Sequence, residues 1–595
     1  LFHADMVAAA GAMAAHYSRG RTSRGQHVDV SAQEVAFSRN INGVLVWQFD
    51  RRQLHRVGGA VSYGKATVRC IWRLADGWCF HSLMTGGFGA PANQALSQWM
   101  NEVGARNPMQ GVDWLRYNRS TLESAARADW EDAMAAFFVT RTRDEIRGEG
   151  RRRGLNACVL ATPADVLSDS QLQSRAFWSR TSSGLHPAWF AVMRAGPQPG
   201  HPPRATAESS PAGAQRGPLA GVRVLDFSWA LVGSITTKIL GDLGADVIKV
   251  ESRRRPCLSR LDVQVAASSA KDLDDKPWFA HLNTSKRSLA LDLKRTEARE
   301  LLDPLIRWAD VVVENFSPGT MAKLGLDYDA LVRINPQLVM ASGSVYGQTG
   351  PLAQEWGIDG TGAALSSRTY MTGWPDRDPV TPGAVPYGDV IVPYVMVAQT
   401  VAALQCRRQT GRGAHIDASM YEICAQQMWP AIAAAQSGLP SARLGNADTR
   451  TYWQGVLPAS GTDRWVAVTI NDATEWAELM RLTAGAAPEV WSATQSDLAL
   501  AETLQRHGIA AGMVQDMQDL VDRDPGIAAR GALIRLEHVR LGAFAHIRTP
   551  MSFSHDVNHP YRAPALGEHT HEIAHSLGEL TQERVQALQQ QGIFE

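Results

Sequence analysis

From Val390 to Leu404 the chain is apolar almost without a break, and Gly388-Asp389 stands directly before that run. Such density predicts a helix buried on all sides. A basic, glycine-rich turn follows, then the alternating segment His415–Ser419. The second half of the chain alternates short apolar runs with helical spacing. It predicts strands at Val222–Phe227, Val247–Glu251, Ala290–Asp292, Val311–Val313 and Leu338–Met340, and helices at Ser234–Leu243, Thr296–Trp308 and Met321–Arg333. Strands interleaved with helices of about ten residues predict a parallel sheet covered on both faces, with ligands beyond the carboxyl ends of its strands.

The first part reads differently. Met6–Ala15 predicts a buried helix, and Leu1 falls inside that pattern, so a longer natural chain is an expectation. Asp76-Gly77, between the alternating residues around Trp72 and Trp78, predicts a tight hairpin, and Gly461–Trp465 repeats the signal later. Trp130–Phe138 and Asp144–Gly148 have helical spacing. Between the two parts, residues 195–218 hold six prolines and almost no large apolar side chain, which predicts a linker.

One segment occurs twice. GRTSRGQHVDVSAQE at 20–34 matches RQTGRGAHIDASMYE at 408–422 at a constant offset of 388 residues. Arg24, Gly25, Asp29, Ser31 and Glu34 fall over Arg412, Gly413, Asp417, Ser419 and Glu422. The chain therefore carries the later part of one unit, then a whole one. The same offset sets Leu1 opposite Asp389, so the acid has no counterpart in the first copy.

Composition narrows the function classes. The 595 residues carry 59 basic and 59 acidic side chains, which gives no support for a nucleic-acid or bulk-membrane partner. The six cysteines form no CxxC pair and read as buried free thiols of a reducing cytoplasm. No secretory leader pattern is present, and the run 390–404, with Pro393 and Gln399, is short for a bilayer span.

Several chemistries find no support. GDLGADVIKVE lacks the Gly-x-Gly-x-x-Gly turn of a nicotinamide site, and Tyr63-Gly64-Lys65 lacks the upstream glycine of a phosphate loop. His27, His415 and His569 are too scattered to form a metal site. Lys249, Arg253, Arg254, Arg255, Arg260, Lys286, Arg287 and Lys294 border the predicted strands and read either as a solvated rim or as a grip on a polyanion. Asn315-Phe316-Ser317-Pro318-Gly319 puts an amide and an aromatic face on a turn after a strand. Asp389, at the mouth of the buried helix, would lie against first-turn amides, a position for a nucleophilic carboxylate.

The segments VRVLDFSWALVG, GDLGADVIKVE, NTSKRSLALDLK, VVVENFSPGTMAKLGL, GSVYGQTGPL, YGD and RRQTGRGAHIDASMYE, with APALGEHTHEI near the end, resemble the class III coenzyme A transferases. That family includes formyl-CoA, carnitine and bile-acid CoA transferases and the alpha-methylacyl-CoA racemases. The resemblance covers 217–595, and residues 1 to about 185 resemble only the later half of a unit. It implies an α/β fold with a Rossmann-like large domain and a small α+β domain, partially duplicated, in two interthreaded units. The expected division is an incomplete unit 1–194, the linker 195–218 and a complete unit 219–595. Within the latter, the large domain would span about 219–420 and 555–595 and the small domain about 440–550.

The resemblance carries the nucleophile to Asp389, with Gly388 as a backbone donor and Asp359 as an auxiliary acid. It places coenzyme A, a substrate and not a resident cofactor, against Trp229, Ala230, Leu231, Ser252, Arg253, Leu291, Lys294, Asn315, Phe316, Lys323 and Leu324. Trp229–Ser234 departs from the His-Val-Gln or Arg-Val-Leu-Ala-Gly-Pro common in the family. The implied activity is acyl-CoA:carboxylate CoA transfer through an aspartyl-CoA thioester, with no metal. Racemisation is the first alternative, and Gly357-Ile358-Asp359 speaks against it, because the racemases carry histidine where Ile358 stands and isoleucine cannot exchange a proton. A CoA-binding scaffold without activity is the second. Partners would be an acyl-CoA donor and a free acid, in a pseudo-dimer within the chain or a homodimer. Trp356, Tyr370, Met371 and Trp374 around Asp359 hint at a bulky apolar acyl group.

Overall fold

The computed structural model describes residues 2–63, 66–198, 217–262, 265, 268, 272–381, 386–557 and 559–595. Most of the expected linker and the Gly64-Lys65 pair lie outside the described residues. Six segments buried on both faces, with the more exposed Val192–Ala195 at the edge, form a seven-stranded sheet in the spatial order Arg287–Ala290, Asp246–Glu251, Arg223–Asp226, Val311–Glu314, Val339–Ser344, Ala414–Ser419 and Val192–Ala195. The first six are parallel, with Val224 facing Val247 on one side and Val311 on the other. The seventh runs antiparallel, and it comes from the first unit.

The dense apolar run forms the helix Tyr387–Thr410, 24 residues long and closed by Gly411 in the left-handed region at φ 72°. It is the one helix among the described residues long and apolar enough to cross a membrane, but it lies in the core. It packs between Phe2–Thr22 of the first unit and Val232–Asp242. On the other face of the sheet, Arg299–Trp308 and the late helices Thr570–Ser576 and Gln582–Gln590 enclose a second core around Leu225, Val312 and Met340. Two smaller sheets stand apart with cores of their own. Ile71–Leu74, Gly77–Phe80 and Cys158–Val159 pack on Gly86–Glu102 and Ser124–Phe138. Trp453–Pro458, Trp465–Ile470 and Ala510–Met513 pack on Ala473–Leu482 and Asp497–Arg506.

Three local expectations shift. The strand expected at Ala290–Asp292 is Arg287–Ala290, which ends where Asp292 turns back to accept the Lys294 amide at 3.1 Å. The helix expected over Met321–Arg333 divides into Thr320–Lys323 and Tyr328–Ile334, because Gly325 takes φ 64° and Asp327 caps a new start. In the first hairpin Leu74 pairs with Gly77, so Ala75-Asp76 is the loop and Gly77 the first residue of the return strand.

The two units exchange strands. Val28–Asp29 pairs with Ser552–Phe553, while the repeat-equivalent Ile416-Asp417 pairs with Val192-Met193. The acids shared by both copies explain themselves here. Arg175 of the first unit is fully buried and bridges Asp417 at 2.7 Å and Glu422 at 2.5 Å in the second. Reciprocally, Arg530 bridges Asp29 and Glu34 at 3.0 Å each, and Arg548 reaches Glu34 at 2.7 Å. Arg175→Met leaves two buried carboxylates without their counter-charge, Asp417 keeping only the Gln348 amide, and is expected to destabilise the protein by about 3–5 kcal/mol. Arg530→Met should cost less, because Arg530 is partly exposed and Arg548 still holds Glu34. Urea denaturation of the two variants checks the order, and equal losses contradict it.

Candidate active site

Asp389 lies in the first turn of Tyr387–Thr410. Its surroundings differ from the expected amide cradle. The amide of Gly388 donates to Asp359 Oδ1 at 2.5 Å, so the first turn of the central helix is engaged by Asp359 and the Gly388 donor is already committed. Asp359 opens the helix Asp359–Leu365, is 8% exposed, and has the Arg368 guanidinium at 3.6 Å. Burial raises its carboxyl pKa, with Arg368 and the amides of Gly388 and Tyr387 acting the other way. Asp389 is raised well above the ordinary carboxylate range, by burial first and then by the charge of Asp359. The backbone amide of Val232 partly offsets this. Val232 is the first residue of Val232–Asp242, so a helix amino end faces the carboxylate.

The turn before that helix is pinned from the neighbouring strand end. Trp229 N donates to Asn315 Oδ1 and Asn315 Nδ2 donates back to Trp229 O, both at 2.8 Å. Trp229 Nε1 donates to Pro256 O at 2.9 Å, and Ala230 takes φ 64°. Gly233 allows the close approach: a Cβ there would stand 2.4 Å from Ser228 Cβ and 3.0 Å from Asn315 Oδ1. Phe316 follows, its amide held by Glu314 Oε2 at 2.8 Å, while burial lifts the Glu314 carboxyl to about 7.

Aromatic and cationic groups continue from this turn as a chain of contacts. The Arg255 guanidinium lies 6.0 Å from the Phe316 ring centre and 5.6 Å from that of Trp229. Phe88 stands 6.2 Å from Trp229 and 5.3 Å from Trp356, three residues before Asp359. Phe88 belongs to the first unit. It was legible only as a break in the glycine-rich Gly86-Gly87-Phe88-Gly89, with no spacing to link it to Trp229. The first unit also covers Asp359–Leu365 directly: Ala161 N donates to Ala364 O at 3.0 Å, and a Cβ on Gly360 would stand 2.2 Å from the Phe80 ring.

The other expected contacts also lie beyond the carboxyl ends of strands. Ser252 and Arg253 follow Asp246–Glu251; Leu291 and Lys294 follow Arg287–Ala290. Arg253 opens, with Arg254, Thr570, His571 and Phe594, on a cavity of about 600 Å³. Ser252 Oγ donates to Glu595 O at 2.9 Å. Leu291 is buried in the second core, Lys323 is exposed, and Leu324 packs at the edge of that core. Leu231 is half-buried beside the first core.

Four of the basic residues do not reach a ligand. Lys249 and Lys286 are fully buried on Asp226, whose carboxyl they hold down at about 2 against the effect of burial. Arg260 is buried on Glu251 and Asp274. Arg287 begins its strand, at the opposite edge of the sheet, and pairs with Asp246 and Glu572. Among the described residues no cluster of three or more metal-ligating side chains occurs.

The CoA-transferase family III matches residues 2–216 and again 219–570. The chain belongs to that family. As a family III chain it is 28% identical over 411 residues to the succinyl-CoA--L-malate CoA-transferase beta subunit of Chloroflexus aurantiacus, over 63% of this chain and 98% of that subunit. It is 27% identical over 508 residues to the probable CoA-transferase Rv1866 of Mycobacterium tuberculosis, over 76% of this chain but only 62% of that protein's length. A crystal structure of a CAIB/BAIF family protein from Brucella suis superposes with a TM-score of 0.55 at 30% identity, over 61% of this chain and all of that one.

Removing the charge of Asp359 is expected to ease ionisation of Asp389. In Asp359→Asn the acid limb of the pH–rate profile should move down by about one pH unit, because a neutral neighbour no longer opposes the second carboxylate. A limb that stays in place, or moves up, contradicts the coupling.

Proposed function

We propose that the chain is an acyl-CoA:carboxylate CoA-transferase working through a covalent intermediate on Asp389. The observation that carries this is half-buried Asp389, coupled to the buried carboxylate of Asp359 and facing the amino end of Val232–Asp242, at the end of the chain of aromatic contacts from Phe316. CoA would lie along the strand ends, against Trp229, Ala230, Leu231, Asn315 and Phe316, with Ser252, Arg253, Leu291, Lys294, Lys323 and Leu324 toward its nucleotide part. Relatives named for succinyl-CoA and L-malate support carboxylic acids as both leaving and accepting partners.

In this reading the Asp389 carboxylate attacks the thioester carbonyl of an acyl-CoA, and the C–S bond breaks to give a mixed anhydride and CoA thiolate. The thiolate attacks the Asp389 carbonyl and releases the donor acid, leaving an aspartyl-CoA thioester. The acceptor carboxylate then attacks that thioester, CoA thiolate leaves again, and its attack on the acceptor's acyl carbon restores Asp389. Each tetrahedral intermediate carries an oxyanion. The Val232 amide, at a helix amino end beside Asp389, would meet the oxyanion formed on the Asp389 carbonyl, since the Gly388 amide is held by Asp359. A thioester is exchanged for a thioester, so no ATP is consumed. The same reading assigns residues 1–194 as an incomplete unit that completes the site of 219–595 by covering Asp359–Leu365 and supplying Phe88.

Asp389→Asn is expected to abolish transfer, at least 1,000-fold in kcat (about 4 kcal/mol), with CoA binding retained. Peptide mass analysis after incubation with acyl-CoA should find CoA on the peptide containing Asp389 in the native protein only. Transfer activity surviving in the asparagine variant refutes the role.

A further inference from the structure

Several buried polar atoms without a hydrogen-bond partner gather around the ring of Tyr387, two residues before Asp389. Arg368 is 7% exposed, and its Nε and Nη2 meet no acceptor; Asp359, at 3.6 Å, is beyond hydrogen-bond reach. Arg39, from the first unit, is half-buried and its side chain engages the Tyr387 hydroxyl, but its Nε is buried and unpartnered. The two guanidinium groups lie 4.6 and 4.7 Å from the Tyr387 ring centre. His3, also of the first unit, is 7% exposed with both ring nitrogens unpartnered, 5.9 Å from the same ring. The turn that presents Arg368 is itself unusual: Ser367 is fully buried, adopts φ 65° and leaves its Oγ unpartnered.

Such an arrangement is costly for a folded chain unless something fills it. Buried polar groups are paired in most proteins, and buried charges more strictly so. A guanidinium has donors only, so the missing partner is an acceptor. Two guanidinium groups packed on one tyrosine ring, with a single carboxylate near one of them, call for a further anion, and the planar fork of arginine fits the two oxygens of a carboxylate. We propose that Arg39 and Arg368, one from each unit, form the subsite that holds a carboxylate of the acid exchanged in the reaction. This rests on the covalent role of Asp389. Once Asp389 is bound as a thioester its charge is gone, and Arg39, Arg368 and Asp359 together carry one net positive charge. That is the state in which the acceptor acid must enter, and its carboxylate neutralises the group.

The test is isothermal titration of the full chain carrying Asp389→Asn, which is uncharged at that position as the thioester is, with acetate, benzoate and succinate, alongside Arg39→Lys, Arg368→Lys and Arg368→Gln in the same background, with folding of each variant followed by circular dichroism. At least one acid should bind, and each lysine variant, which keeps charge but loses the fork, should weaken it tenfold or more. Tighter binding of succinate than of either monocarboxylate assigns the subsite to the second carboxylate of a diacid; equal binding assigns it to the reacting one. Binding by none of the three, or affinities within twofold of the Asp389→Asn parent in both lysine variants, overturns the proposal. CoA adduct formation on Asp389 of the native chain requires no free acid and separates the two readings. Adduct present with arginine-independent binding defeats only the subsite; adduct absent with arginine-dependent binding defeats only the covalent role.

Discussion

The structure depends on a buried guanidinium reaching across the boundary between two copies of one unit. Arg175 lies with no solvent contact on Asp417 and Glu422, and Arg530 does the same, less deeply, for Asp29 and Glu34. A buried ion pair adds little net stability against an apolar replacement, yet it punishes separation severely, because each half is then left as a bare charge. What these contacts secure is therefore registration of one unit against the other. The exchanged strands and the packing of Phe2–Thr22 on the central helix follow in the same register.

That register positions the candidate site. Asp389 and Asp359 come from the second unit, but the surfaces packed around Asp359 come from both. The first unit places the sheet containing Phe80 on Asp359–Leu365 and brings Phe88 between Trp229 and Trp356. Desolvation raises both carboxyl groups, the charge of Asp359 raises Asp389 further, and Asp359 takes the Gly388 and Tyr387 amides at the mouth of the central helix. A carboxylate poorly solvated and poorly hydrogen-bonded is a stronger nucleophile than one cradled by donors.

Much of this was legible in the sequence. Two-faced valine-rich runs gave the parallel sheet, and uninterrupted apolar density gave the central helix with its acid at the mouth, because local pattern decides such elements. The repeated acids Asp29, Asp417, Glu34 and Glu422 were visible as a repeat, but their arginine partners were not, since Arg175 and Arg530 lie outside the matching segments. Lys249 and Lys286 were read with the surface arginines because charge alone does not reveal that both point inward to Asp226. Arg368 carried no signal of any kind. A single arginine in a polar stretch becomes informative only when its neighbours are seen to leave it unpaired.

Strand exchange also governs the order in which the protein can be made. Val28–Asp29 leaves the ribosome more than 500 residues ahead of its partner Ser552–Phe553. The first unit therefore cannot finish folding as a separate body, and the long delay before pairing is a period of exposure to misassociation. Once paired, the halves are interlaced through both strands, and a proteolytic cut between them would leave a single noncovalently bound particle.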